Sequence, residues 1–254
     1  MITAQQIKSM KSKQKIVMLT AYDFPTSKLM NDIVDIILIG DSLGMVVLGY
    51  EDTTKVTMQD MERATGSVSR GASNPLIVGD LPIGTYESED DALRNAKLLL
   101  DAGAKAIKIE RKPDIARFLV QNGIEVMGHI GLTPQTITNF KVQGKNEDDA
   151  KRLLEEAKEM DNAGCFSIVL ECIPLGLAKK ITESISIPTI GIGAGIHCDG
   201  QVLVTHDILG LFEAFKPKFV KRYADIGVKM RNAFQQYADE VRERKFPGDE
   251  FSFH

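Results

Sequence analysis

Six ionisable side chains stand at or just beyond the ends of short apolar runs. Asp41 follows IILIG and Asp80 follows LIVG. Glu110 closes AIKIE with Lys108 two residues before it, His129 follows EVMG, and Glu171 closes SIVLE. One acid after an apolar run usually caps the next helix; five runs ending in titratable groups are harder to explain that way. If the runs are strands, Lys108 and Glu110 point to the same face. A lysine on an interior face is costly unless paired. A structural Lys108–Glu110 pair would satisfy it, but a site containing a cation, an anion and a lysine explains it better. Asp41, Asp80 and Glu110 offer only oxygen donors, which suits a hard cation such as Mg²⁺ and argues against Zn²⁺. Few protein ligands leave room for water and a chelating substrate. His129 suits an orienting, hydrogen-bonding role better than a ligand role. His206 reads as structural, and His197 and His254 carry no signal.

Those side chains need a scaffold that brings distant segments to one place. Eight apolar runs recur: Ile16 to Thr20, Val34 to Gly40, Pro75 to Gly79, Ala104 to Glu110, Ile124 to His129, Phe166 to Glu171, Ile187 to Gly193 and Gln201 to Asp207. Most lack polar alternation, as expected of parallel strands covered on both faces. Helical segments lie between them. Thr57 to Arg70 begins with a threonine cap, and Ser88 to Asp101 has Asp91 at a capping-box position and stops at Gly103. Asp148 to Ala163 and Pro174 to Ser184 follow the same rhythm. Alternating strand and helix allows a (β/α)₈ barrel or an open doubly wound sheet; eight runs favour the barrel, in one domain spanning 1–254. The titratable run ends would then share the top face, where barrel chemistry is done. Ala4 to Met10 is expected to cap the barrel bottom, and Lys221 to Arg244 to form charged C-terminal helices used in subunit contacts. Gly191 to Gly195, GIGAG, lacks dinucleotide spacing; close backbone packing and phosphate binding both remain open there.

Bulk properties exclude other classes. The chain has 254 residues and a formal net charge of −4, without the basic face of a nucleic-acid binder; the lysines between Lys8 and Lys15 read as a solvated face. Cys165, Cys172 and Cys198 fit no CxxC metal spacing and read as reduced, buried thiols. The first fifteen residues lack a secretory apolar core, and no apolar stretch has membrane-spanning length. A cytoplasmic protein is expected.

The ordered blocks TAYDFP, IGDSLGMVVLG, VTMQDM, GDLPIGTY, KIE, GHIGLTPQ, KVQGK, LECIP and IGIGAG run from Thr20 to Gly195, and DGQVLVTHDILGL, KPKFVKRYA and FPGDEFSFH continue to the end. Together they resemble the ketopantoate hydroxymethyltransferases over nearly the whole chain, and GDSLGM with GHIGLTPQ is far more specific than a short catalytic motif. The resemblance implies a (β/α)₈ TIM barrel of the phosphoenolpyruvate/pyruvate type with an N-terminal capping helix and C-terminal helices. It implies hydroxymethyl transfer from 5,10-methylenetetrahydrofolate, a co-substrate, to the α-keto acid 3-methyl-2-oxobutanoate, giving 2-dehydropantoate for pantothenate and coenzyme A. It further implies a Mg²⁺-stabilised enolate, with Asp41, Asp80 and Glu110 at the metal and Ser42 and Lys108 at the substrate, where Asp41 and Asp80 also lie. Glu171 would be the base and His129 a neighbour of the substrate. A homo-oligomer, a decamer built from pentameric rings, is implied too. Two departures stand out: TITNF joins KVQGK without the usual glycine pair, so a folate-facing loop is expected to be short, and Asn31 to Asp35 looks compressed. Related Mg²⁺ lyases and mutases of the isocitrate-lyase type are the nearest alternative, but their KKCGH-like loop is missing here. An inactive scaffold is disfavoured by the intact acids and lysine.

Overall fold

A computed structural model describes residues 1–135, 141–212 and 217–254, which fall into two compact units, Met1–Val204 and Thr205–His254. In the first, eight strands close a parallel barrel in sequence order: β1 (Ile16–Thr20), β2 (Ile36–Ile39), β3 (Leu76–Asp80), β4 (Ala106–Glu110), β5 (Val126–Gly131), β6 (Ser167–Glu171), β7 (Thr189–Ile192) and β8 (Gly200–Leu203). Its helices are α1 (Ala4–Ser9), α2 (Phe24–Met30), α3 (Leu43–Val46), α4 (Met58–Gly71), α5 (Glu89–Asp101), α6 (Pro113–Gln121), α7 (Glu147–Asn162) and α8 (Leu175–Ser184). The eight runs are therefore eight strands, each neighbouring the next, and β8 returns to pair with β1.

Strand alternation sorts the side chains. Ile36, Leu38, Leu76, Val78, Ala106, Met127 and Val169 fill the lower barrel interior, while Ile37, Ile39, Ile77, Ile107, Ile109 and Ile168 pack outward into the helical layer. Being covered on both faces makes β2 to β5 uniformly buried and explains their unbroken apolar runs. β1 departs from this, since Val17 points outward and is exposed. The helix α1 places Ala4 and Ile7 in the interior cluster and so plugs the bottom, as expected.

A polar clasp closes the same end. Asp199, 4% exposed, accepts from the Lys11 ammonium (2.9 Å), the Ser12 N–H (3.0 Å) and the Thr189 N–H (2.9 Å). Burial works against its charge, but these donors prevail and hold its carboxyl below the ordinary range. Its stabilisation is present above the unfolded carboxylate pKa of about 3.9 and is lost as pH falls through the lower folded value. Asp199→Ala is expected to cost about 3 kcal/mol, measured by urea unfolding at pH 7. Catalytic turnover should be retained, because the clasp lies at the end of the barrel opposite the titratable run ends.

Local details differ from expectation in instructive ways. The Thr57 capping box forms with Asp60. At Ser88, however, the Asp91 carboxylate takes the serine hydroxyl rather than the cap N–H, so the box is incomplete. Pro174 is the cap of α8, not its first residue. The compressed stretch after α2 is a tight turn in which the Asn31 amide oxygen accepts from the N–H of Ser73 (2.7 Å) and of Asn74 (3.1 Å). The eighth strand ends at Leu203, so His206 and Asp207 lie on the short helix α9 (Thr205–Ile208) and not at a strand end. The three cysteines are free, but Cys172 is only half-buried. In the second unit the expected long helices reduce to one, α10 (Ile226–Arg242), preceded by α9.

Candidate active site

Six groups reach one mouth of the barrel because their parity and their distance along the strands agree. Asp80, Lys108, Glu110, His129 and Glu171 alternate with the outward Gly79, Ile107, Ile109, Gly128 and Leu170, so all five face inward, at the carboxyl ends of β3 to β6. The register pairs Asp80 with Lys108 and Glu110 with His129 across neighbouring strands. Asp41 enters from the turn after β2. The backbone leaves these strand ends through strained turns. Arg111 (φ 55°), Lys112 (φ 53°) and Cys172 (φ 50°) adopt the left-handed region directly after Glu110 and Glu171, at about 1 kcal/mol or more each. Gly131 (φ 99°) sits where an added Cβ would lie 2.2 Å from the Glu171 carbonyl oxygen, so only glycine lets β5 pass β6 there.

Lys108 donates to Asp80 Oδ2 at 2.6 Å, and both are almost fully buried. Its closest partner is therefore Asp80, not Glu110. His129 lies between two acids, with Nδ1 3.4 Å from Glu110 Oε1 and Nε2 3.3 Å from Glu171 Oε2. Neither contact has good hydrogen-bond geometry, and Asp80 Oδ1 and Glu110 Oε2 are also buried without a partner.

Four carboxylates thus share one lysine. Burial, opposed by Lys108 and reinforced by neighbouring acids, pushes Asp80 up to about 7 and Glu110 up to about 9. Asp41 is raised for the same first reason. Glu171 is pushed up to about 7 by burial against the pull of Lys108. Burial works to neutralise Lys108 too, but the fields of Asp80, Glu110 and Asp41 exceed it and keep the ammonium charged. Burial and the nearby Lys108 hold His129 neutral, well below its ordinary value. A neutral imidazole has one N–H to give and one lone pair to accept with, and neither ring nitrogen makes a hydrogen bond within the described residues.

Sequence reasoning did not single out the side chains that support these groups. Gln135, the last residue of GLTPQ, donates from Nε2 to Asp41 Oδ2 at 2.9 Å. Tyr86, the last residue of GDLPIGTY, meets Gln135. Tyr22, in TAYDFP, has its hydroxyl 2.8 Å from the Oγ of Ser42, the serine that the resemblance had already marked. Their signal was membership of long polar blocks with no strand-end position to mark them. At GIGAG, Gly195 (φ 83°) is backed by Leu175, whose Cδ1 would be 2.8 Å from an added Cβ, so close packing is what the structure displays there. The stretch TITNF, 136–140, lies outside the described residues.

Among the described residues, no three His, Cys, Asp or Glu side chains converge as a ready-made metal cage. The donor set nevertheless fits a hard divalent cation. It has an excess of buried carboxylates, and it has two orphaned carboxylate oxygens, on Asp80 and Glu110. Mg²⁺ takes oxygen ligands and keeps water and substrate oxygens in its shell, so its protein ligands need not converge fully before it binds.

Residues 1–249 match a family model described as ketopantoate hydroxymethyltransferase. Proteins named 3-methyl-2-oxobutanoate hydroxymethyltransferase are similar along the whole length. That of Heliobacterium modesticaldum is 53% identical, covering 99% of this chain and 95% of its own. That of Clostridium acetobutylicum is 55% identical with the same coverage. Among solved structures, 2,3-dimethylmalate lyase, a member of the PEP mutase/isocitrate lyase superfamily, superposes with a TM-score of 0.62 at 15% identity over 100% of this chain and 93% of its own. Phosphonopyruvate hydrolase gives 0.65 at 10% identity over 100% and 92%. At such identities these two establish the barrel type alone.

Proposed function

Since this chain belongs to the ketopantoate hydroxymethyltransferase family, we propose that it transfers a hydroxymethyl group from 5,10-methylenetetrahydrofolate to 3-methyl-2-oxobutanoate, giving 2-dehydropantoate on the way to pantothenate. The observation that carries this reading to particular residues is the cluster of three buried carboxylates, Asp41, Asp80 and Glu110, and the partly exposed Glu171 around one charged lysine at the mouth of the barrel. Incubating the protein with both substrates and finding 2-dehydropantoate by mass spectrometry tests it; no product with folate and Mg²⁺ in excess would sink it.

Asp41, Asp80 and Glu110 are the acids we assign to Mg²⁺. Bound there, the ion supplies Lewis acidity to the keto-acid group and makes the neighbouring C–H more acidic. The chain's own groups do the rest. Glu171, with its carboxyl pushed up to about 7, is poised to take the C3 proton at neutral pH. The charged Lys108 is assigned to hold the negative charge that the keto oxygen gains. Because the product carries a hydroxyl, water must release the methylene carbon of the folate at the formaldehyde level, breaking both of its C–N bonds and leaving tetrahydrofolate; C3 then bonds to that carbon, and its oxygen takes up a proton to become the new hydroxymethyl group. Neutral His129 stands between Glu110 and Glu171 and separates them; with a single N–H it can donate to one of them at a time. Ser42, on the turn beside Asp41, is assigned to the substrate carboxylate. A cytoplasmic location and a homo-oligomeric, decameric assembly belong to the same proposal and rest on family membership. No described helix is long and apolar enough to cross a membrane.

Asp80→Ala should shift the Mg²⁺ concentration needed for half-maximal activity upward by at least about 10-fold, the scale of a lost metal contact. Steady-state rates across a Mg²⁺ series measure it, and an unchanged dependence would remove Asp80 from the cation.

A further inference from the structure

Gln135 links three turns at the barrel mouth. It is 2% exposed. Its Nε2 donates to Asp41 Oδ2, after β2, and to the Leu81 carbonyl, after β3, both at 2.9 Å. Its Oε1 accepts from the Tyr86 hydroxyl at 2.5 Å. This arrangement admits only one amide orientation. A backbone carbonyl can only accept, so the nitrogen must face Leu81 and with it Asp41. The amide oxygen then faces Tyr86, whose hydroxyl must donate. Tyr86 is buried, and burial together with Glu110 and Asp80 raises its pKa, so the phenol keeps the proton that this bond requires.

Tyr86 is itself held from behind. The preceding carbonyl, of Thr85, accepts from Asn95 Nδ2 on α5 at 2.6 Å, and the Thr85 hydroxyl donates to Pro82 O at 2.6 Å. A path of hydrogen bonds therefore runs from the body of α5 through Tyr86 and Gln135 to one oxygen of Asp41. A carboxylate gripped at one oxygen by a fixed N–H has little rotational freedom left, so its other oxygen is presented in one direction. The amide also favours the charged form of Asp41 without adding a positive charge that would compete with a cation.

We propose that Gln135, locked by Tyr86, is a positioning residue that orients Asp41 for divalent-cation binding. The inference rests on the assignment of Asp41 to the cation made above. It places part of the cation's affinity in a side chain that is not itself assigned as a ligand.

The test is calorimetric titration of the full-length protein with Mg²⁺, alongside Tm, for the parent and for Asp41→Ala, Gln135→Met and Tyr86→Phe. Gln135→Met is expected to weaken Mg²⁺ binding on the order of 10-fold, the scale of a lost group behind a metal ligand. Tyr86→Phe, which removes one oxygen, should weaken it in the same direction by less. A purely structural role would lower Tm in these variants and leave the Mg²⁺ Kd where it was. If Asp41→Ala loosens Mg²⁺ while both other variants bind as the parent does, the positioning role is overturned and the cation assignment stands. If Asp41→Ala itself leaves the Kd unchanged, the assignment falls and the inference falls with it. Should Gln135→Met fail to fold, Tyr86→Phe decides between these outcomes.

Discussion

Glu171→Gln will abolish exchange of the C3 hydrogen of 3-methyl-2-oxobutanoate with solvent. The amide keeps the volume of the carboxyl, so β6 and the Gly131 crossing remain intact, but it cannot accept the proton. The expected loss is that of a positioned general base, about 10²- to 10⁴-fold. The environment of Glu171 favours this role over the other acids. Burial raises its carboxyl to about 7, with Lys108 limiting the rise, so near neutral pH it is divided between a form that can take a proton and one that can return it. Asp80 is instead held by Lys108, and Asp41 by Gln135. Proton NMR in D₂O reads the exchange directly, without folate, and so separates proton removal from carbon transfer. Mg²⁺ affinity should change little. An exchange rate equal to the parent's would remove Glu171 from the base role.

Lys108→Ala will have the second large effect, on two separate readouts. Turnover should fall on the order of 10²-fold, the size of a lost electrostatic stabiliser in a site closed to water. The protein should also lose about 3 kcal/mol of stability, because one partner of a buried pair is left uncompensated. Lys108 is 4% exposed and Asp80 1%, so both partners of the pair are held away from bulk water. Lys108→Arg is not expected to restore turnover, since a planar fork does not fit a point charge bonded at 2.6 Å to one carboxylate oxygen. Kinetics alongside urea unfolding separate the two effects. Lost stability with normal turnover would make the lysine structural only, the reading its place on an interior strand face first allowed.

Sequence periodicity carried much of the fold because burial on both faces of a parallel strand leaves a continuous apolar signature. β2 to β5 have that signature and were legible. β8 was not delimited correctly, because VLVTH continues the apolar pattern past Leu203 while the backbone turns into α9. Helix starts were clearer than their cap chemistry, since Ser88 and Asp91 have the right spacing yet form the alternative hydroxyl bond.

By itself, the chain order determined which residues reach the mouth of the barrel, because a two-residue period and a strand's end fix both the face and the height of a side chain. That suffices for Asp80, Lys108, Glu110, His129 and Glu171, which lie on the four consecutive strands β3 to β6. Only the tertiary structure decided how they pair. Lys108 turns to Asp80 rather than to its strand neighbour Glu110, and His129 stands between two acids. Gln135 and Tyr86 became visible only there as well, since they sit on turns whose paths obey no period. Their partners are 94 and 49 residues away in the chain, and such separations are set by closure of the barrel, which no local pattern encodes.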